Sequence, residues 1–171
     1  RLSVSALGVM YLGLFILTAF SWPLEMAVVK LVTGWISVSV LGMGLVNFPD
    51  AWHHPDRYWP SEIFFRLSVA GLVGLVVISF LPGLRNWLTE ASDEQVLGGM
   101  ILVGIGVLHL GLTVKPAQTI FGLLMLIAGF EVLYATVESS VLVAGFLAVV
   151  NMGIALTGAY LLVAPIMEVE E

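Results

Sequence analysis

Two glutamates, Glu131 and Glu138, lie in an otherwise apolar run that extends from Phe121 to Phe146. A carboxylate at the centre of a lipid bilayer costs about 2.5–3.5 kcal/mol, so it needs either a partner or a chemical task. The two residues are seven positions apart, which predicts that they share one helical face about 10 Å apart. Two interpretations of Glu131 stay open: a proton-exchanging or ion-binding group, or a protonated carboxyl that hydrogen-bonds to a neighbouring helix. Glu138 could lie at the membrane surface.

A lysine also stands in an apolar context. Lys30 follows Glu25 by five residues, near the start of the second apolar segment. The long aliphatic stem of Lys30 could carry its charge to the lipid headgroups, and the two residues would then form a charge cluster at a helix end. The alternative is a buried lysine that exchanges a proton with a nearby carboxylate.

Two further polar residues interrupt apolar segments. His109 could relay protons near neutral pH, or it could be a hydrogen-bonded packing residue. Asn151 could bond two helices together, or it could lie along an ion pathway. The predicted proton or ion pathway consists of Glu131, Glu138, Lys30, His109, Asn151 and Glu25.

The composition indicates an integral membrane protein. The 171 residues are 60% hydrophobic and 11% charged, with a mean hydropathy of +1.07, against about 25% charged residues in a soluble domain. There is no cysteine, which excludes disulfides and thiolate ligands for a metal or cofactor. The net charge of −6 comes largely from short loops and an acidic tail, which argues against nucleic acid as a partner.

The connecting stretch 48–60 contains Asp50, His53, His54 and Asp56. These are metal-ligand residue types, but adjacent histidines between prolines, without a matched set elsewhere, are weak evidence for a metal site. The aromatic residues of the same stretch favour an anchor at the membrane interface. No phosphate-binding loop, nucleophile elbow, zinc-protease motif or dinucleotide fingerprint is present. We therefore predict no catalytic residue, no cofactor and no metal, and we do not expect the chain alone to be an enzyme.

The chain divides into six apolar segments, each close to the roughly 20 residues that cross a hydrocarbon core of about 30 Å. Their apolar character is continuous rather than alternating, which favours helices over a membrane barrel. The first segment is interpreted as a retained span, because no typical signal-cleavage site follows it. We predict an all-α polytopic membrane protein with six transmembrane helices in a packed bundle. The predicted helices are 2–20, 23–47, 61–81, 96–114, 117–137 and 140–164.

A polar stretch near the middle of the chain suggests a division into two halves. Pro82 and Gly83 are typical of a helix end, and the residues after them are the most polar connection in the sequence. The predicted units are an N-terminal three-helix membrane half at 1–82, a connecting loop at 83–95 and a second three-helix half with an acidic tail at 96–171.

The distribution of basic residues predicts an orientation. Six spans would bring both termini to one side of the membrane, together with Arg57 and Lys115. Basic residues favour the cytoplasmic side, so both termini are predicted to be cytoplasmic.

The second half resembles a known family. The run LLMLIAGFEVLYA at 123–135 resembles the second helix of the small K-type membrane subunit of respiratory complex I, where a similar apolar pattern carries an intramembrane glutamate. The runs at 99–114 and 147–162 are similar to the first and third helices of that subunit. The same module occurs in the C subunit of multisubunit cation/proton antiporters and in a membrane subunit of hydrogenase-4-type complexes. The resemblance covers about 96–164.

The resemblance implies an accessory integral-membrane subunit of a complex I-like, hydrogenase-like or antiporter-like assembly that moves protons or sodium ions. It implies other membrane subunits as partners, redox centres in those partners, and a bacterial or archaeal cell membrane. Glu131 falls on the glutamate of the family pattern. Asn151 falls where the complex I subunit has a second carboxylate, and an amide cannot ionise. The alternatives are a purely structural membrane subunit, stabilised by glycines such as Gly129 and Gly153, and a small independent transporter.

Overall fold

The computed structural model describes residues 2–47, 60–113 and 116–167. Throughout these ranges the regular secondary structure is α-helical and no strand is present, which confirms the predicted all-α class. The helices are α1 (Leu2–Thr18), α2 (Leu24–Asn47), α3 (Pro60–Trp87), α4 (Asp93–Leu112), α5 (Pro116–Ala135) and α6 (Val141–Met167).

Five of these helices, α2 to α6, are long and apolar enough to cross a membrane, as an integral membrane protein requires. The remaining helix, α1, has 17 residues. At a rise of about 1.5 Å per residue it is about 25 Å long, somewhat less than the roughly 30 Å of a hydrocarbon core.

The predicted end of the third helix at Pro82 is wrong, because α3 continues to Trp87. Proline lacks an N–H and removes one helical hydrogen bond, but membrane helices tolerate this loss where local adjustments satisfy the freed carbonyl. The extended α3 brings Arg85 Nη2 within 2.8 Å of Asp93 Oδ2 at the start of α4. The polar connection between the two helices is therefore only five residues long.

The start of α4 is set by a capping box. The Ser92 side chain accepts a hydrogen bond from the backbone N–H of Gln95 at 3.2 Å, and the Gln95 side-chain oxygen accepts one from the Ser92 N–H at 3.1 Å. These reciprocal bonds satisfy N–H groups that have no partner within the helix. They explain why α4 begins at Asp93, three residues before its predicted start.

Successive helices run in opposite directions, which gives the bundle two ends. We call end A the end at which α1, α3 and α5 begin, and end B the end at which α2, α4 and α6 begin. At end B, Gln95 Nε2 donates hydrogen bonds to Leu17 O and Ser21 Oγ, both at 2.8 Å. Trp22 Nε1 donates to Glu138 O at 2.9 Å. These bonds tie the α1–α2 turn to α4 and to the α5–α6 connection.

The central helix is α5, which packs against α1, α4 and α6, while α2 packs against α1 and α6. The closest approach is between α4 and α5, where pairs of glycines seven residues apart face each other: Gly99 and Gly106 on α4, Gly122 and Gly129 on α5. A Cβ on Gly129 would lie 2.7 Å from Gly99 O, so only glycine allows this separation of the two backbones.

The helix α3 lies at the edge of the bundle and packs mainly against α4, across the predicted boundary between the two halves. Large apolar side chains are exposed along α3, among them Phe64, Leu72 and Phe80. Such a surface is suited to lipid or to another membrane helix.

Candidate functional site

A buried polar contact joins Lys30 of α2 to Glu131 of α5. The Lys30 Nζ donates a hydrogen bond to Glu131 Oε1, and the two side chains form an ion pair. Only 2% of the lysine side chain and 1% of the glutamate side chain are exposed. Of the two interpretations of Lys30, the structure supports the buried lysine beside a carboxylate, because the side chain lies inside the bundle and not at its surface.

Helical periodicity explains why both side chains point inward. The buried positions of α2 recur every three or four residues and include Ala27, Lys30, Gly34, Ser37 and Leu41. The same spacing on α5 buries Leu124, Ala128, Glu131 and Ala135. Each charged residue thus occupies a position that the helix pattern assigns to the core.

A second polar contact lies beside the pair. The Tyr11 hydroxyl of α1 donates a hydrogen bond to Asn151 Oδ1 of α6 at 3.0 Å, and both side chains are buried. The Glu131 carboxyl is near enough to Tyr11 to interact with it electrostatically. Four helices therefore contribute one polar side chain each to this region, which we call the core cluster: Tyr11, Lys30, Glu131 and Asn151.

Gly34 makes room for this arrangement. It lies one turn after Lys30 on α2, and a Cβ at this position would collide with the ring of Tyr11. The missing side chain lets the tyrosine ring lie directly on α2. The hydroxyl of Tyr11 can then reach α6 beyond it.

Two polar atoms of the core cluster have no hydrogen-bond partner among the described residues: Glu131 Oε2, an acceptor when ionised, and Asn151 Nδ2, a donor. Buried polar atoms without a partner are uncommon and often mark a functional position. The cluster thus retains capacity both to accept and to donate a hydrogen bond. An acceptor such as Glu131 Oε2 is what the binding of a proton or a cation requires.

Apart from Asn151, which lies in the core cluster, the structure does not bring the other predicted pathway residues to this pair. Glu138 is exposed in the α5–α6 connection, and Glu25 is exposed in the first turn of α2. The prediction that Glu131 and Glu138 share one helical face is wrong, because α5 ends at Ala135. His109 lies near end A, whereas Glu131 is four residues from the end-B terminus of α5.

The candidate metal ligands Asp50, His53, His54 and Asp56 lie outside the described residues, as do Arg57 and Lys115. Across the three described ranges, no group of three or more histidine, aspartate or glutamate side chains is placed to hold a metal ion.

Tyr11 was not among the predicted pathway residues. The signal that could have found it is a tyrosine in the middle of an otherwise apolar helix, because a buried tyrosine hydroxyl usually requires a hydrogen-bond partner. Gln95 caps the start of α4 through local bonds, but its hydrogen bonds to the α1–α2 turn depend on tertiary contacts.

Comparison of the chain with protein-family models, with curated proteins and with solved structures finds no match. The features that bear on function are the core cluster and the sequence around Glu131.

Proposed function

We propose that this chain is an accessory integral-membrane subunit of a complex I-like, hydrogenase-like or cation/proton antiporter-like assembly. In this proposal the Lys30–Glu131 pair takes part in moving protons or sodium ions across the membrane. The helix α1 crosses the membrane as a sixth span, both termini are cytoplasmic, and end A faces the cytoplasm. Redox centres, where the assembly has them, belong to partner subunits.

The observation that carries the proposal is the buried ion pair. Removing two charges from water costs several kcal/mol per ion, and the attraction between them often does no more than offset this cost. Replacement by apolar residues of similar volume is therefore often neutral or stabilising for the fold. Charged residues within membrane helices commonly mark ion pathways, which favours a role beyond stability for Lys30 and Glu131.

The Glu131 carboxylate can exchange its lysine partner for a proton or a cation. A proton that moves from Lys30 Nζ to the Glu131 carboxylate converts two opposite charges into a neutral amine and a neutral acid. A proton or sodium ion that arrives at Glu131 competes with the lysine for the same carboxylate oxygens. Glu131 Oε2, which has no partner among the described residues, is the atom at which such a competitor would bind first.

A second candidate function is a purely structural subunit. The observation that favours it is the apolar layer on α5 between end A and the pair, where Phe121, Leu124 and Ala128 are all buried. From Gln118 to Glu131 the helix rises about 20 Å, and this layer provides no polar group for a relay. In this alternative, Lys30 and Glu131 hold α2 and α5 together and specify how the helices pair.

The two candidates are distinguished by the double variant Lys30→Met/Glu131→Leu in the native complex. It removes both charges together, so it leaves neither one buried without a partner. We expect the complex to assemble at wild-type level, checked by pull-down of the tagged chain and mass spectrometry, and to lose most proton- or sodium-coupled transport in membrane vesicles. Normal transport by the assembled double variant would refute the ion-exchange role and support the structural one.

Glu131→Gln is the finer test, since it keeps the shape of the side chain and removes its ability to ionise. We expect assembled Glu131→Gln complexes to lose transport, and Glu138→Gln to serve as the matched control with wild-type transport. The same pull-down tests the assembly itself, because antiporter-like membrane subunits should co-purify with the chain. Transport by the purified chain alone in liposomes would instead identify a small independent transporter.

A further inference from the structure

A cleft of about 720 Å³ lies at end A, between α3 and the rest of the bundle. Its lining comes from the first turns of α1, α3 and α5 and from the last turns of α4. The volume is within the range of roughly 300–1,000 Å³ that small-molecule sites occupy. None of its lining residues belongs to the core cluster, so the cleft is a separate feature of the molecule.

The lining is amphipathic. Most of it is apolar, and along α5 the apolar residues Phe121 and Met125 lie deeper in the bundle than Gln118, by one and two helical turns. The polar contributors are Arg66, His109, Thr113 and Gln118, which all come from end-A turns of their helices. Arg66 is the charged side chain of the lining and brings a positive charge to it.

We propose that this cleft binds an anionic phospholipid of the surrounding membrane, with the phosphate near Arg66 and an acyl chain along Phe121 and Met125. Guanidinium groups form strong, charge-assisted hydrogen bonds to phosphate, and the side chains of His109 and Gln118 supply further donors. Basic pockets between membrane helices are a recurring way to bind anionic headgroups. The proposal does not depend on the proposed transport function.

The test is native mass spectrometry of the purified chain titrated with phosphatidylglycerol, or with phosphatidylcholine of the same acyl chains. We expect the wild-type chain to bind phosphatidylglycerol more tightly. Arg66→Gln should weaken that binding about tenfold, as expected for loss of a charged hydrogen bond. Arg85→Gln is the matched control, since it removes the same charge from the other end of α3, outside the cleft, and should change binding less than about twofold.

A second variant tests the apolar part of the cleft. Ala70 lines it on α3, and Ala70→Phe should block lipid binding while Arg66 is retained. The proposal is overturned if Arg66→Gln and Arg85→Gln have equal effects, if the two lipids bind equally, or if Ala70→Phe binds like the wild type. Millimolar inorganic phosphate should not displace the lipid, and displacement would identify a free-phosphate site instead.

Discussion

Two ion pairs among the described residues lie in sharply different surroundings. Lys30 and Glu131 join α2 to α5 inside the bundle and are almost completely buried. Arg85 and Asp93 join α3 to α4 at end B, at 2.8 Å, with 43% and 68% of their side chains exposed. An exposed charge that loses its partner is solvated by water instead. A buried charge has no such replacement and depends on its single partner. Burial, rather than distance, decides what each pair contributes.

The largest expected effect is loss of one partner of the buried pair. Lys30→Met leaves the Glu131 charge without compensation in the core, and we expect it to lower the free energy of unfolding by about 3–5 kcal/mol. The measurement is denaturant unfolding in detergent micelles, followed by tryptophan fluorescence. The double variant Lys30→Met/Glu131→Leu should recover most of the loss, and a double variant as unstable as the single one would contradict this account.

Gly129 lies in the crowded contact between α4 and α5, whereas Gly153 on α6 has open space beside it. Gly129→Leu places a side chain against the backbone of α4, and we expect a loss of about 3 kcal/mol or more. Gly153→Leu is the control, because no atom of another helix lies within 4 Å of the position its Cβ would take. In the same unfolding assay on the isolated chain, the stability of Gly153→Leu should stay close to that of the wild type.

Gly153→Leu therefore has a second use. If the isolated variant is stable but fails to assemble with its partners, then the exposed face of α6 is a subunit interface. If it assembles normally, no close helix packing in the complex requires a glycine at this position.

Within the core cluster, Tyr11→Phe should have an intermediate effect. The change leaves Asn151 Oδ1 without its hydrogen bond, and an unsatisfied buried acceptor costs about 1–3 kcal/mol. Tyr160→Phe is the matched control on α6, since Tyr160 is 62% exposed and should change stability by less than about 0.5 kcal/mol. Equal effects of the two changes would show that the Tyr11–Asn151 bond adds nothing.

The exposed pair should give the smallest effect. Arg85→Gln is expected to cost at most about 1 kcal/mol at low salt. The cost should disappear in about 1 M salt, where charges are screened within about 3 Å. The loss caused by Lys30→Met should persist at that salt concentration, because the buried pair is shielded from mobile ions. A salt-independent loss for Arg85→Gln would mean that the pair acts through packing.

Much of the helical layout follows from the sequence alone. The length and continuity of the apolar segments predict six helices, and the observed ends differ from the predicted ones by only a few residues outside α3 and its connection to α4. The capping residues Ser92 and Gln95 are readable in sequence because their bonds are local. The continuation of α3 through Pro82 cannot be read from the sequence. Proline often ends a helix, but it also occurs inside membrane helices, which tolerate the missing hydrogen bond.

The candidate site was readable only in part. Glu131, Lys30 and Asn151 were recognisable as polar residues in apolar helices, because the cost of placing such groups in lipid requires an explanation. That Lys30 pairs with Glu131, 101 positions away along the chain, and not with Glu25 could not be read from spacing. The inclusion of Tyr11 and the separate location of His109 likewise depend on which helices are neighbours.

The sequence by itself determined the membrane-protein class, the number of helices and the presence of charges that need partners, because these depend on composition and on periodicity within single segments. The tertiary structure decided which charges meet. Lipid offers helices no strong hydrophobic preference for one neighbour over another, so the close contacts that glycine permits, such as those at Gly34, Gly99 and Gly129, help to select which helices pair. In the folded chain α1, α2, α5 and α6 surround one buried ion pair, an arrangement that no single segment of the chain encodes.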